Sequence, residues 1–519
     1  MSGEVLGYGI DFGTTNSLIS VAYADRVDVV RVSSSSGTGG LGACLPSVVY
    51  FDRNKDYRAG EDAIQQYVFL AGHSTRCGDC GRACDRVLND LPSRRGEPPR
   101  LKTSCVDARL ASGMKINLAI PFPGTQSWGQ RFDFEDMIGL ILPALRSEVD
   151  SKSPRLNLPV VIGVPVEYED QDDGSRALAI SRMRTAAERA GFTNVDFLEE
   201  PKAALVYELA NGTEAGGDAA CLAVDFGGGT FDAAVSTSGV TPWATDAVEG
   251  VAVGGEHFDS RLFTEVIAVD YGMTPVLEMF GQLRNKSSML MKSGDSEFQR
   301  ELRMAAKNRV RGAEMFSKVF ERGQVYDLWQ AIERTKINLT DNLTAVMDFQ
   351  KPGVEINVPV SRNQLELAVE TELESVRQTM LAVVKKAGVS PDEVELIVKT
   401  GGSSSLPVFD LNLSRLFPGA SIQARPALTT IVRGLGHYVR VQQGVHLHEK
   451  LAAKPQAVSA RMGTQGGATT KSPPPPPLPQ EPIIPATGPG DARTEKAAEA
   501  VAPSTQSLWS AIKKILWGG

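Results

Sequence analysis

Six cysteines in 519 residues are too few for a disulfide framework in a chain this long. No apolar run approaches the about 18 residues that a membrane-spanning helix needs. The start, M-S-G-E-V-L-G-Y-G-I-D, has no basic region followed by an apolar stretch, so no signal peptide is expected and a reducing cytoplasm is the default compartment. There is no basic excess: 54 Lys and Arg face 62 Asp and Glu, a formal net charge of −8. General affinity for nucleic acid is therefore not implied. The sequence also lacks G-x-x-x-x-G-K-[ST], which excludes a P-loop.

What is present has the balance of a globular protein, with 42% hydrophobic and 22% charged residues. The length exceeds one simple domain. Residues from about 5 to 443 read as one α/β body. Apolar β-branched runs, such as Pro159 to Val164 and Ala220 to Val224, alternate with helical stretches such as Ser175 to Ala190. From Ala452 to Ala502 the composition shifts to Ala, Pro, Gly and Thr, with five consecutive prolines at 473–477. Such a segment buries too little surface to fold and reads as a disordered tether over 444–504. The last stretch, 505–519, places Leu508, Trp509, Ile512, Ile515 and Leu516 on one helical stripe, with Lys513 and Lys514 elsewhere.

The first chemical signal is G-I-D-F-G-T-T-N-S, from Gly9 to Ser17. An apolar strand delivers Asp11 to its end, Gly13 permits a tight turn, and Thr14 and Thr15 offer hydroxyls beside backbone N–H groups suited to a phosphate. The second signal, L-A-V-D-F-G-G-G-T-F-D from Leu222 to Asp232, repeats the plan with Asp225 and Thr230. One such turn alone could be an ordinary glycine-rich hairpin. Two copies whose aspartates stand 214 positions apart argue for two related lobes around one polyphosphate.

These residues resemble the Hsp70 branch of the actin/hexokinase/Hsp70 superfamily. The likeness runs in order through V-I-G-V-P-V at Val161–Val166, E-E-P-K-A-A-L at Glu199–Leu205, G-G-E-H-F-D at Gly254–Asp259, A-I-E-R-T-K-I-N-L-T at Ala331–Thr340 and T-G-G-S-S-S-L-P at Thr400–Pro407. The resemblance implies a two-lobed actin-like ATPase fold with duplicated RNase H-like lobes. Lobe I would take about 1–215 plus about 424–443, and lobe II about 219–423. It implies Mg-ATP or ADP as the ligand, with Asp11 and Asp225 holding Mg²⁺ through water and Asp232 nearby. Gly13, Thr14, Thr15, Asn16, Gly227, Gly228, Gly229 and Thr230 would cradle phosphates. Gly254, Gly255, Glu256, Glu333, Lys336, Thr340, Gly401, Gly402 and Ser403 would line the adenosine side. Glu200 matches the glutamate that orients the attacking water, Lys102 in R-L-K-T-S the lysine near the terminal phosphate, and Pro165 the proline of a conformational switch. Phosphoryl transfer to water needs charge neutralisation and a placed nucleophile more than a strong base, which suits this set.

Two departures stand out. The two arginines that flank adenine in the family are replaced by Ile337 and Ser405. Losing two stacking guanidiniums, each worth about 1–2 kcal/mol, predicts micromolar ATP affinity. Only about 75 residues follow Gln443, mostly Pro/Ala-rich, so a peptide-binding β-sandwich is not expected within them. The pattern resembles short bacterial Hsp70-like proteins that carry the ATPase unit.

His73, Cys77, Cys80 and Cys84 have ligand-like spacing, and Cys105 could join them in a tetrahedral Zn²⁺ site. The second C-x-x-C half is missing, so a redox-sensitive thiol cluster and an inert insertion stay open. The C-terminal stripe suits a membrane surface, a partner protein's groove or the chain's own body. Three functions compete: an ATPase that passes its nucleotide state to a partner, a nucleotide-binding scaffold with negligible turnover, and an actin-like filament.

Overall fold

A computed structural model describes residues 4–445 and 447, apart from 33–43, 53–55, 75–107, 121–124, 128–129, 151–156, 169–172, 213–219, 238–244 and 294. All of them belong to the unit Met1–Leu451. The second unit, Ala452–Gly519, lies outside them, and with it the tether and the amphipathic stretch.

Two sheets built on one plan organise the body. In the first, the order is Asn194–Glu199, Pro159–Val164, Val5–Phe12, Asn16–Tyr23 and Val27–Val29, with Leu45–Pro46 also paired to Asn16–Tyr23. In the second it is Ser421–Ala424, Val394–Thr400, Ala220–Phe226, Phe231–Ser236 and Thr245–Val251. Each central strand pairs parallel on one side and antiparallel on the other. The two sheets therefore share strand order and strand sense, and the duplication suggested by the aspartate turns extends to the whole architecture. The fold is the two-lobed, actin-like α/β arrangement.

The central strands are apolar because helices cover both of their faces. Every residue of Ala220–Phe226 is buried. Parallel neighbours need a crossover. Asp173–Arg189 supplies it between Pro159–Val164 and Asn194–Glu199, and Pro407–Leu416 supplies it in the second sheet.

Two further helices bind the lobes at their base. Glu200–Ala210 follows the last strand of the first sheet, and Thr430–Gln442 follows the last strand of the second. They lie against each other so closely that a Cβ on Gly434 would stand 1.9 Å from the Ala203 carbonyl oxygen. Only glycine allows that approach. Thr430–Gln442 also returns to the first sheet, where the Ser20 hydroxyl donates to the Val432 carbonyl at 2.7 Å. An apolar cluster drawn from both lobes fills this seam, including Val161, Leu205, Cys221, Val398 and Leu435. At its edge Arg425, just past Ser421–Ala424, grips the fully buried Glu208 with two donors, Nε at 2.5 Å and Nη2 at 2.6 Å.

The lobes meet at a second place. The Ser112 and Ser287 hydroxyls lie 3.1 Å apart. Val48, Tyr50, Ile64, Tyr67 and Leu110 join the same apolar cluster as Met289 and Leu290 of Lys286–Lys292.

Candidate functional site

Both aspartate hairpins close with the same bond. The Gly13 N–H donates to the Asn16 carbonyl at 3.1 Å, and the Gly227 N–H donates to the Thr230 carbonyl at 3.0 Å. The 214-residue offset of Asp11 and Asp225 thus holds for the turn bonds as well. The two turns touch at their tips. A Cβ on Gly228 would stand 2.6 Å from Thr15 Oγ1, and one on Gly229 would stand 2.4 Å from Thr14 Oγ1.

The second turn is gripped from behind. The Gly255 and Glu256 N–H groups, opening the helix Gly255–Arg261, donate to the carbonyls of Gly227 at 3.1 Å and Gly228 at 2.8 Å. The Ser403 hydroxyl donates to the Gly227 carbonyl as well, at 2.8 Å. In a trans peptide the next N–H points opposite to the carbonyl. The N–H groups of Gly228 and Gly229 are therefore aimed away from this grip. Phe226 and Phe231, which flank the turn, pack with Phe258 and Phe409 at centroid distances of 5.2–6.0 Å. Aromatic pairs of this kind contribute about 0.5–1.5 kcal/mol each and hold the turn in place.

Beneath the turns lies a buried acid cluster. Asp225 and Asp232 stand opposite each other on their two strands, and Asp11 is the last-but-one residue of the matching strand of the first sheet. Glu200 opens the helix Glu200–Ala210, with Gly163 beside it: a Cβ there would stand 3.2 Å from Glu200 Oε1. The Lys115 ammonium donates to Glu200 Oε1, and both side chains are buried. Burial, then the charge of Glu200, pushes Asp11 up to about 7 against the pull of Lys115. Burial and Glu200 also push Asp232 up to about 7, although Thr230 and the Val166 N–H donate to it. Asp225 is raised well above its ordinary value by burial, Glu200 and Asp11. Burial works against the charge on Lys115, but Glu200 and Asp11 prevail and raise it.

Four carboxylates facing one ammonium leave the cluster short of positive charge, and Asp232 Oδ2 is buried without a hydrogen-bond partner. Both observations fit a divalent cation. Among the described residues no three Asp, Glu, His or Cys side chains converge for direct chelation. The donor set accordingly suits a cation reached through water.

A second charged group adjoins the Gly254–Glu256 turn. Lys336, from the helix Val325–Asp341, donates to the Gly255 carbonyl at 3.0 Å and pairs with Asp259 at 2.9 Å. Burial pushes Glu256 up to about 7, with Lys286 opposing and Asp259 and Glu333 adding to the rise. Gly401, at φ +85°, sits so close to the Asp225 strand that a Cβ would stand 2.3 Å from the Phe226 carbonyl oxygen.

The Hsp70 protein family model matches residues 7–274 and 289–426, well over half of the chain. The chain belongs to the Hsp70 family. A chaperone protein DnaK of Trichormus variabilis is 26% identical over 409 residues, covering 78% of this chain and 50% of that relative. A chaperone protein dnaK1 of Nostoc sp. matches with the same identity and coverage. The chain spans about half the length of these curated relatives.

Set against the Hsp70 motifs, the structure brings Asp11, Thr14, Thr15, Glu200, Gly227–Thr230, Asp225, Asp232, Gly254–Glu256, Lys336 and Ser403 close together. Glu333 and Thr340 lie on the same helix as Lys336, with Glu333 accepting from Gln330 at 3.2 Å. Ile337 is 54% exposed there, and Ser405 is exposed too. Lys102 lies outside the described residues. The lysine that reaches Glu200 is Lys115, which the motif reading passed over. Its signal was available in M-K-I-N-L, a lysine among apolar residues, since such a lysine is buried only when paired. Cys77, Cys80, Cys84 and Cys105 also fall outside the described residues, as does the side chain of His73.

No helix among the described residues is long and apolar enough to cross a membrane.

Proposed function

We propose that this Hsp70 family member binds Mg-ATP between its lobes and hydrolyses it slowly, with lobe I at about 1–215 plus 424–443 and lobe II at about 219–423. The observation that carries the reading is the buried Lys115–Glu200 pair beneath two facing phosphate turns. The turns' N–H groups and the Thr14, Thr15 and Thr230 hydroxyls would take phosphate oxygens. Lys115 would meet the charge that grows on the terminal phosphate. Glu200 would orient a water towards it. Asp11 and Asp225, with Asp232, would hold Mg²⁺ through water, and the ion supplies charge neutralisation when bound. Glu333, Lys336 and Thr340 would receive the nucleoside.

A second reading, nucleotide binding with negligible turnover, draws on the engagement of Glu200 by Lys115, which occupies the carboxylate. Phosphate release measured beside ATP binding, on the wild type and on Glu200→Ala, separates the two. Turnover that collapses in the variant while binding persists supports the ATPase. Binding without phosphate release in the wild type retires it. The nucleotide state would pass to a protein partner or membrane surface through 505–519.

A further inference from the structure

The helix Gly255–Arg261 is capped by an acceptor that carries no charge. The Gly254 N–H donates to Nδ1 of His257 at 3.1 Å, and the His257 N–H donates back to the Gly254 carbonyl at 3.0 Å. In a capping box a glutamate or glutamine ordinarily accepts at this third position. An imidazole can take that place in one form only. Nδ1 must keep its lone pair, so the ring is neutral and its proton sits on Nε2. A second proton would turn Nδ1 into a donor facing the donor on Gly254. It would also set a cation against the positive end of the helix.

This bond stands one link from the phosphate turn. The two residues after Gly254 supply the N–H groups that grip the turn, Gly255 on the Gly227 carbonyl at 3.1 Å and Glu256 on the Gly228 carbonyl at 2.8 Å. Gly254 itself lies on the same backbone, where a Cβ would stand 2.5 Å from Gly228 and Gly229. A Gly254 that shifts therefore takes the turn with it.

The charges around the ring favour the neutral form near neutral pH. Burial lowers the imidazole below its ordinary 6.5, Glu372 of the helix Glu370–Lys386 opposes, and Arg261 adds to the fall. Arg261 also holds Glu372 at 2.7 Å and meets Glu265 at 3.5 Å. From the helix Val325–Asp341, Glu333 and Lys336 act on Glu256 and Asp259. Arg362, which opens the helix Arg362–Ala368, is taken up by the Leu339 and Thr340 carbonyls. The capping bond is thus fully present above the ordinary value and is lost as pH falls through a lower one.

We propose that His257 is a positioning residue that makes the grip on the second phosphate turn, and with it nucleotide affinity, dependent on pH. The neutral ring holds the turn, and protonation of Nδ1 loosens it. The inference rests on the reading above that Mg-ATP binds at these turns.

The test is Mg-ATP affinity of the full chain by calorimetry at about pH 7.5 and about pH 5, on the wild type, His257→Gln and His257→Leu. Glutamine accepts without titrating, and leucine does not accept. Asp11, Asp225, Asp232 and Glu256 titrate in all three proteins, so their share cancels in the ratio of wild type to the glutamine variant. At the higher pH, His257→Leu is expected to bind about 10-fold more weakly than the wild type, and His257→Gln to recover most of that loss. At the lower pH, the wild type is expected to lose about 10-fold more affinity than His257→Gln does. A ratio of wild type to His257→Gln that stays constant between the two pH values overturns the inference and leaves the ATP reading standing. So does a folded leucine variant that binds as tightly as the wild type at the higher pH. Where that variant fails to fold, the wild type and His257→Gln decide alone. A wild type that binds no Mg-ATP at the higher pH overturns the ATP reading and the inference with it.

Discussion

Lys115→Met and Glu200→Gln break the same ion pair, yet the first should unsettle the empty protein far more than the second. Lys115→Met leaves Asp11, Asp225, Asp232 and Glu200 in a buried space without their ammonium. Removing one partner of a buried pair in this way costs about 3–5 kcal/mol. Glu200→Gln keeps the side chain's shape and removes a charge that raises all three aspartates, while Asp11 still faces Lys115. Its net cost should be about 1 kcal/mol or less. In a body of this size about 1 kcal/mol corresponds to about 1 °C. Calorimetry in metal-free buffer should thus show a midpoint about 3–5 °C lower for Lys115→Met and within about 1 °C of wild type for Glu200→Gln. Mg²⁺ with nucleotide should recover part of the loss. Equal drops, or a larger drop for Glu200→Gln, would refute the charge accounting.

Gly254→Ala should lower Mg-ATP affinity about 100-fold, since its Cβ would press on the Gly228–Gly229 backbone from 2.5 Å and displace the turn. Gly281→Ala, with nothing within 4 Å of its Cβ and no part in the proposed site, serves as the control and should bind nearly as the wild type does. Asp232 has a folded value of about 7 against 3.8 ordinarily, so the folded state keeps a proton that the unfolded chain releases. Its contribution to stability is fully present below the ordinary value and is lost as pH rises through about 7. Asp232→Asn should accordingly gain on the wild type in metal-free unfolding between about pH 5 and pH 8, and a constant difference would count against it. Wild-type ATP affinity should be micromolar, and Ile337→Arg should tighten it about 10-fold through a stacked guanidinium. Titration calorimetry checks this, and a low-nanomolar wild type or an unmoved variant would contradict it.

What the sequence made legible was whatever local backbone geometry demands. Asp11–Gly13 and Asp225–Gly227 were readable because a strand, an acid and a glycine turn must be neighbours in the chain. Glu200 was singled out only through the likeness of E-E-P-K-A-A-L to the Hsp70 segment, since a glutamate that opens a helix beside a proline is by itself an ordinary terminal carboxylate. The partner of Lys115 was not legible, because M-K-I-N-L signals a paired lysine but the pairing spans 85 residues and no local pattern names Glu200. The grip of Gly255, Glu256 and Ser403 on the second turn likewise joins segments that meet only in space.

The grip of Arg425 on Glu208 gives the helix Glu200–Ala210 the character of a crank. Its two glutamates are eight residues apart on one rod, so about 12 Å separates the handle from the working end. The handle is held by Arg425, just past the edge strand of the second sheet, and the other end carries Glu200 beside Lys115. Were the second sheet to shift against the first, the rod would turn and carry the carboxylate at its tip with it.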